Sequence, residues 1–232
     1  MEAGRPLGTR LALAGALLYL SEWLVIPFVV DLPTDDLGSD TSSIASAYAG
    51  HGTELAFLAG WVTFALLGRV LFVSALRYVL RDQRRTQVLL DFAVAAMAVS
   101  VAVEIVQLGL VASAGWLGET GSSVEAVIAL DAAGTVLFGL VLVPIGASVL
   151  ASSLAMLVSS SFARWLGWLG AIAGALVIVG GVVSTTGAGD TGVVHDLADP
   201  LTGIPVALFW IWMLATSVVL FRRAAPLTAV GR

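Results

Sequence analysis

Glu22, Arg69, Glu104, Gln107 and Asp131 all fall inside long apolar runs of the sequence, where ionisable and amide side chains are scarce. An Arg or Asp at the centre of a membrane helix costs about 2.5 to 3.5 kcal/mol on insertion scales, so such residues turn toward a bundle interior or a wet cavity. Three carboxylates around one permanent positive charge leave an imbalance. Either a carboxylate carries a proton, or a cation or cationic ligand completes the set. On this reading Arg69 fixes an anion or tethers a carboxylate, and Glu104 is the titrating group with Gln107 as its hydrogen-bonding neighbour. Glu22 and Asp131 then tune its charge state. A plainer reading stands beside it, in which one Arg and one or two carboxylates simply hold a small bundle together.

Spacing supports an inward polar face. Ser100, Glu104 and Gln107 follow i, i+4, i+7 and mark one stripe of a helix, and Asp131 and Thr135 share a face one turn apart. Tyr19, Glu22 and Trp23 cluster with Pro27 one turn on, and this proline frees a carbonyl nearby. At about 1.5 Å per residue, Glu22 and Arg69 come out near the bilayer midplane, and Glu104 and Asp131 in the outer half. All four share one slab.

The elements that must position these residues are set by composition. The chain has 232 residues, 59% apolar and 12% charged, with a mean hydropathy of +1.00, against roughly 25% charged residues in ordinary globular chains. Its solvent is the bilayer. Apolar runs at about 11–30, 55–80, 88–111, 125–150 (reaching 158 if unbroken), 165–183 and 200–221 predict six spans in one transmembrane domain covering 1–232. The fourth run is too long for a core about 30 Å thick, so it must tilt, kink near Pro144 or end near Leu150. Asp199 and Pro200 read as an N-cap followed by Pro at the first helical position. The region 112–123 reads as a Gly/Ser-rich loop.

Charge placement orients the spans. Arg5, Arg10, Arg77, Arg81, Arg84, Arg85, Arg164, Arg222, Arg223 and Arg232 all fall on one side of that alternation. The opposite side holds Asp31, Asp35, Asp36, Asp40, Glu54, Glu119, Asp190, Asp196 and Asp199, with no Arg. The positive-inside bias then predicts an all-α, polytopic six-helix bundle in the cytoplasmic membrane with both termini cytoplasmic. Trp116, Trp165 and Trp168 lie near span boundaries, whereas Trp210 and Trp212 lie well inside the sixth run and are expected to pack between helices.

Several chemistries are excluded. There is no cysteine, and every basic residue is Arg, so disulfide, thiol and Schiff-base chemistry have no residues to work with. No G-x-S-x-G, H-E-x-x-H or P-loop is present, and no cofactor is implied. The basic residues form only short membrane-flanking clusters, which offers nucleic acid no surface. His51 with Glu54, and His195 with Asp196 and Asp199, are adequate metal ligands by type but match no metal spacing, so solvated loop residues are the better reading. Asp91 lies near Arg81, Arg84 and Arg85, which predicts a structural ion pair, with a lipid-headgroup patch as second choice. Gly170-x-x-x-Gly174 permits close helix approach, either within the bundle or between copies. Membrane lipids are therefore the expected partners, with a second copy or another membrane protein as a further candidate.

The run Phe162-Ala163-Arg164-Trp165-Leu166-Gly167-Trp168-Leu169-Gly170, with Leu18-Tyr19-Leu20 and Leu76-Arg77-Tyr78-Val79-Leu80-Arg81, resembles an uncharacterised family of six-helix prokaryotic membrane proteins, a domain of unknown function. The resemblance implies a six-helix fold and an interface anchored by Arg164, Trp165 and Trp168. It brings no activity and no site residues. From the residues themselves, the first expectation is proton- or cation-coupled transport of a small polar solute. The alternatives are a non-catalytic subunit or sensor that binds a partner through the acidic loops 31–54 and 184–199, and a membrane enzyme that uses the same carboxylates on a lipid-like substrate.

Overall fold

The computed structural model describes residues 5–23, 41–81, 83–121, 123–159, 161–187 and 193–224, and the side chains of 7–23, 44–81, 83–121, 123–159, 161–186 and 203–222. All regular structure among them is helical: α1 (Arg5–Leu20), α2 (Thr41–Tyr48), α3 (Gly52–Val79), α4 (Gln87–Glu119), α5 (Val124–Val158), α6 (Arg164–Gly187) and α7 (Val193–Ala224). A single 3-10 turn, Arg84–Thr86, leads into α4. Five of these helices contain stretches long and apolar enough to cross a membrane, and α1 adds a shorter apolar helix, Leu7–Leu20. The protein is an all-α, polytopic membrane protein.

Short connections make successive long helices neighbours. α3 packs on α4, α4 on α5, α5 on α6 and α6 on α7, while α1 closes the ring by packing against both α3 and α7. One apolar core runs through the ring, with Leu66, Phe72, Met97, Phe209 and Trp212 fully buried. Trp116, Trp165 and Trp168 are more than half exposed, as rings at a lipid interface are.

Three sequence expectations are corrected here, and one left open, the extent of the fourth run, is resolved. The region 112–119, read as loop from its glycines and serines, is helical, because membrane helices tolerate glycine and nothing stops α4 before Gly121 at φ 66°. The fourth run passes through Pro144 without a break and ends at Val158. Ser123 caps its start, its hydroxyl accepting from the Ala126 amide at 3.3 Å. α7 begins at Val193, so Asp199 and Pro200 lie inside it rather than at its start. Asp91 pairs with Arg77, on the facing helix, and not with the turn arginines. Pro27, the acidic stretch 31–40 and residues 188–192 lie outside the described residues, as do the side chains of His195, Asp196, Asp199 and Pro200.

α4 and α5, at 33 and 35 residues, are each longer than the roughly 20 residues a span requires. Their excess length meets α2 at one end of the bundle. There Ile44, Tyr48, Leu55, Ala114 and Val127 form a second, separate core.

Candidate functional site

The main polar site is assembled from α1, its continuation at Glu22 and Trp23, α3, α4 and α7. Arg69 is 1% exposed, and one terminal nitrogen of its guanidinium forms an ion pair with Glu104, which is 15% exposed. Its guanidinium carbon lies 4.9 Å from the centroid of the Tyr19 ring, a cation–π contact. The Arg69 Nε has no hydrogen-bond partner among the described residues. These contacts need α1 and α3 to approach closely, and glycine allows it. A methyl group at Gly15 would lie 2.6 Å from the Gly68 carbonyl oxygen, and one at Gly68 would lie 2.7 Å from the Tyr19 amide.

Glu22 follows Tyr19 by three residues and shares its face. Tyr19 and Trp23 are its neighbours along the helix, and the charges of Arg69 and Glu104 act on it through space. Tyr19 in turn accepts a hydrogen bond from the Trp210 indole at 3.2 Å. The carboxylate is buried, yet its Oε2 has no partner among the described residues. Trp61 ties α3 to the same end of α1 by donating to the Ser21 carbonyl at 3.4 Å. Around this group Trp23 stands edge-on to Trp210 with centroids 4.3 Å apart, and Phe209 lies 5.9 Å from Tyr19.

The structure therefore brings together Glu22, Arg69 and Glu104, with Gln107 half-buried a turn beyond Glu104. Asp131 does not join them. It accepts a hydrogen bond from the Tyr48 hydroxyl at 2.5 Å, in the second core beside α2. Counting residues along a span gave Asp131 a depth but no direction, and it took no account of the extra length with which α5 meets α2. Burial and the neighbouring Asp131 carboxylate push the Tyr48 phenol above its ordinary range.

His51 gathers no set of metal ligands among the described residues, and the side chain of His195 lies outside them. His51 precedes α3 and pairs with Glu54 at 2.8 Å, a local surface pair, and no group of three His, Cys, Asp or Glu side chains among the described residues could hold a metal ion. Trp210 was missed as part of the site, and Tyr19, though clustered with Glu22 by the sequence, was given no role in it. Tyr19 sits one helical turn before Glu22 in the sequence, and that spacing was the available signal. A second set of buried polar atoms also went unread. The Ser152, Ser153 and Thr216 hydroxyls and the Trp212 indole N–H have no hydrogen-bond partners among the described residues.

No family model, curated protein or solved structure matches the chain. The resemblance carried by Phe162 to Gly170 is thus not matched by a family model. The class stands on the chain itself: a polytopic helical membrane protein with a buried Arg–Glu ion pair in its core.

Proposed function

We propose that this protein is a small carrier in which a proton or cation exchanged at Glu22 is coupled to passage of a small polar or charged solute. One observation carries the reading: Arg69 is already paired with Glu104, and the second carboxylate, Glu22, lies buried beside the pair with a free oxygen. Two carboxylates and one guanidinium leave one negative charge, which a proton or a bound cation must balance in a low-dielectric interior. The pairing moves the titrating role from Glu104, the first choice on sequence, to Glu22. Glu104 becomes the residue that anchors Arg69. The half-buried Gln107 is a solute-contacting candidate on the same stripe, and Asp131 leaves the site.

In this reading α1 and its continuation form a sixth span and the domain covers the whole chain. The arginine-rich turns face the cytoplasm with both termini, as the positive-inside bias favours, which places the protein in the cytoplasmic membrane. Membership of the six-helix family that the Arg164–Trp165 turn resembles is compatible with this and adds no chemistry.

The test is pH-dependent infrared difference spectroscopy in nanodiscs, comparing the parent with Glu22→Gln and Glu104→Gln. A carboxyl C=O band that changes with pH, vanishes in Glu22→Gln and is altered in Glu104→Gln, where Arg69 is freed to balance Glu22, is the expected result. If no band depends on Glu22 at any pH, the exchange role is lost and a purely structural or partner-binding subunit becomes the better account.

A further inference from the structure

The walls around Glu22 identify the kind of cation it would hold. A hard metal ion takes about six to eight oxygen ligands, or about six in octahedral geometry if small. Among the described residues no group of three His, Cys, Asp or Glu side chains could hold a metal ion, and the neighbours are aromatic: Trp23 and Trp210 in edge contact, with Phe209 against Tyr19. Aromatic faces attract ammonium-type cations through their quadrupoles, most strongly where water is excluded, and they give a hydrated metal ion nothing to replace its oxygens. The one guanidinium nearby is shared with Glu104 and the Tyr19 ring, and the Glu22 Oε2 has no hydrogen-bond partner among the described residues.

We infer that Glu22, with Trp23 and Trp210, forms a binding site for a monovalent organic cation of the substituted-ammonium class, which competes there with a proton. The carboxylate supplies the counter-charge, and the indole rings take the apolar substituents. Trp23 is 45% exposed, so the site borders the outer wall of the bundle and an amphipathic cation has a route in along the lipid face. The inference rests on the carrier reading above and names its substrate class.

Competition fixes the pH dependence. A proton on Glu22 removes the counter-charge, so cation binding strengthens as pH rises and each cation bound releases a proton. The charged and titratable groups facing Glu22 are Tyr19 from α1, Arg69 from α3 and Glu104 from α4, whereas Trp210 and Phe209 of α7 do not titrate.

The experiment is titration of the full chain in nanodiscs with benzyltrimethylammonium and, separately, tetramethylammonium. Tryptophan fluorescence and calorimetry are read at several pH values, for the parent and for Glu22→Gln, Glu104→Gln and Trp210→Phe. Saturable binding that tightens with pH and is lost in Glu22→Gln is expected. Trp210→Phe should bind the benzyl compound several-fold more weakly, about 2- to 10-fold for loss of one indole face. Absence of binding by both ammonium ions, or equal binding to parent and Glu22→Gln, overturns the inference. If either result comes with a Glu22-dependent infrared band, the carrier reading survives and only the substrate class is wrong. If the band is also missing, both fall. Thermal unfolding of each variant identifies one that has failed to fold, and Trp210→Phe, which leaves every charge in place, keeps the inference testable if a charge variant does not fold.

Discussion

Gly15 on α1 and Gly68 on α3 face each other backbone to backbone, each filling the space where the other's side chain would have to go. The contacts that α1 makes with Arg69 depend on this crossing. It sets the Tyr19 ring under the Arg69 guanidinium, and it brings Glu22, one turn further, within reach of the same charge. Helices without a solvent-driven hydrophobic force between them associate through such close packing, so small residues at the crossing are what hold α1 in place.

Gly68→Ala should therefore be costly. Its new methyl would meet the Gly15 carbonyl and the Tyr19 amide, and overpacking of this kind costs about 1 to 3 kcal/mol. The thermal unfolding midpoint in detergent should fall clearly below that of the parent. A parent-like midpoint would show that α1 and α3 do not meet at this distance.

Removing Arg69 should cost more than removing the whole pair. Arg69→Met leaves Glu104 buried beside Glu22 with no positive charge between them, and stranding a buried partner costs about 3 to 5 kcal/mol. Adding Glu104→Gln to Arg69→Met should recover much of that loss. A double-mutant cycle read by denaturant unfolding gives the coupling, and strictly additive effects would show that the two side chains are independent.

The sequence made the charges legible for a simple reason: Glu22, Arg69 and Glu104 interrupt runs where nothing else is ionisable, and membrane burial forces such residues together. The helical class was equally legible from the apolar runs. Asp131 was not, because depth along a span says nothing about which neighbour a helix face meets. Glu119 was read in a loop because glycine and serine stop helices in water more readily than in a protein-lined membrane interior. Tyr48 was unreadable for a third reason, since its contact with Asp131 joins residues far apart in the chain through a short helix folded back on the bundle. The pairing of Gly15 with Gly68 was hidden among 25 glycines, any of which could have marked a crossing.

Tyr48 makes α2 sensitive to alkaline conditions. A phenol whose pKa is raised in the folded state contributes stability that is fully present below its unfolded value of about 10 and is lost as pH climbs through the folded value. Hydrogen-exchange protection of residues 44–48 should hold steady, after correction for intrinsic rates, from about pH 6 to 9 and weaken above about pH 10. Tyr48→Phe should lower protection below about pH 10 and abolish the alkaline step, and loss of a hydrogen bond to a charged acceptor is worth about 1.5 to 3 kcal/mol. An alkaline step that survives in Tyr48→Phe would assign it to another group.

Gly174 distinguishes packing within one bundle from packing between copies. A methyl there would lie 2.6 Å from the Leu150 amide and 2.8 Å from the Gly146 carbonyl oxygen, so the α6 glycine lies against α5 of the same chain. Its neighbour in the motif, Gly170, faces Ser153 and Trp212, also in the same chain. Gly174→Ile should accordingly lower the unfolding midpoint by the equivalent of about 3 kcal/mol or more, because a branched side chain must force two helix backbones apart. Light scattering in detergent should give the same protein mass for the variant as for the parent. If the mass changed while the midpoint stayed at the parental value, the motif would be holding copies together and the assignment to α5 would be wrong.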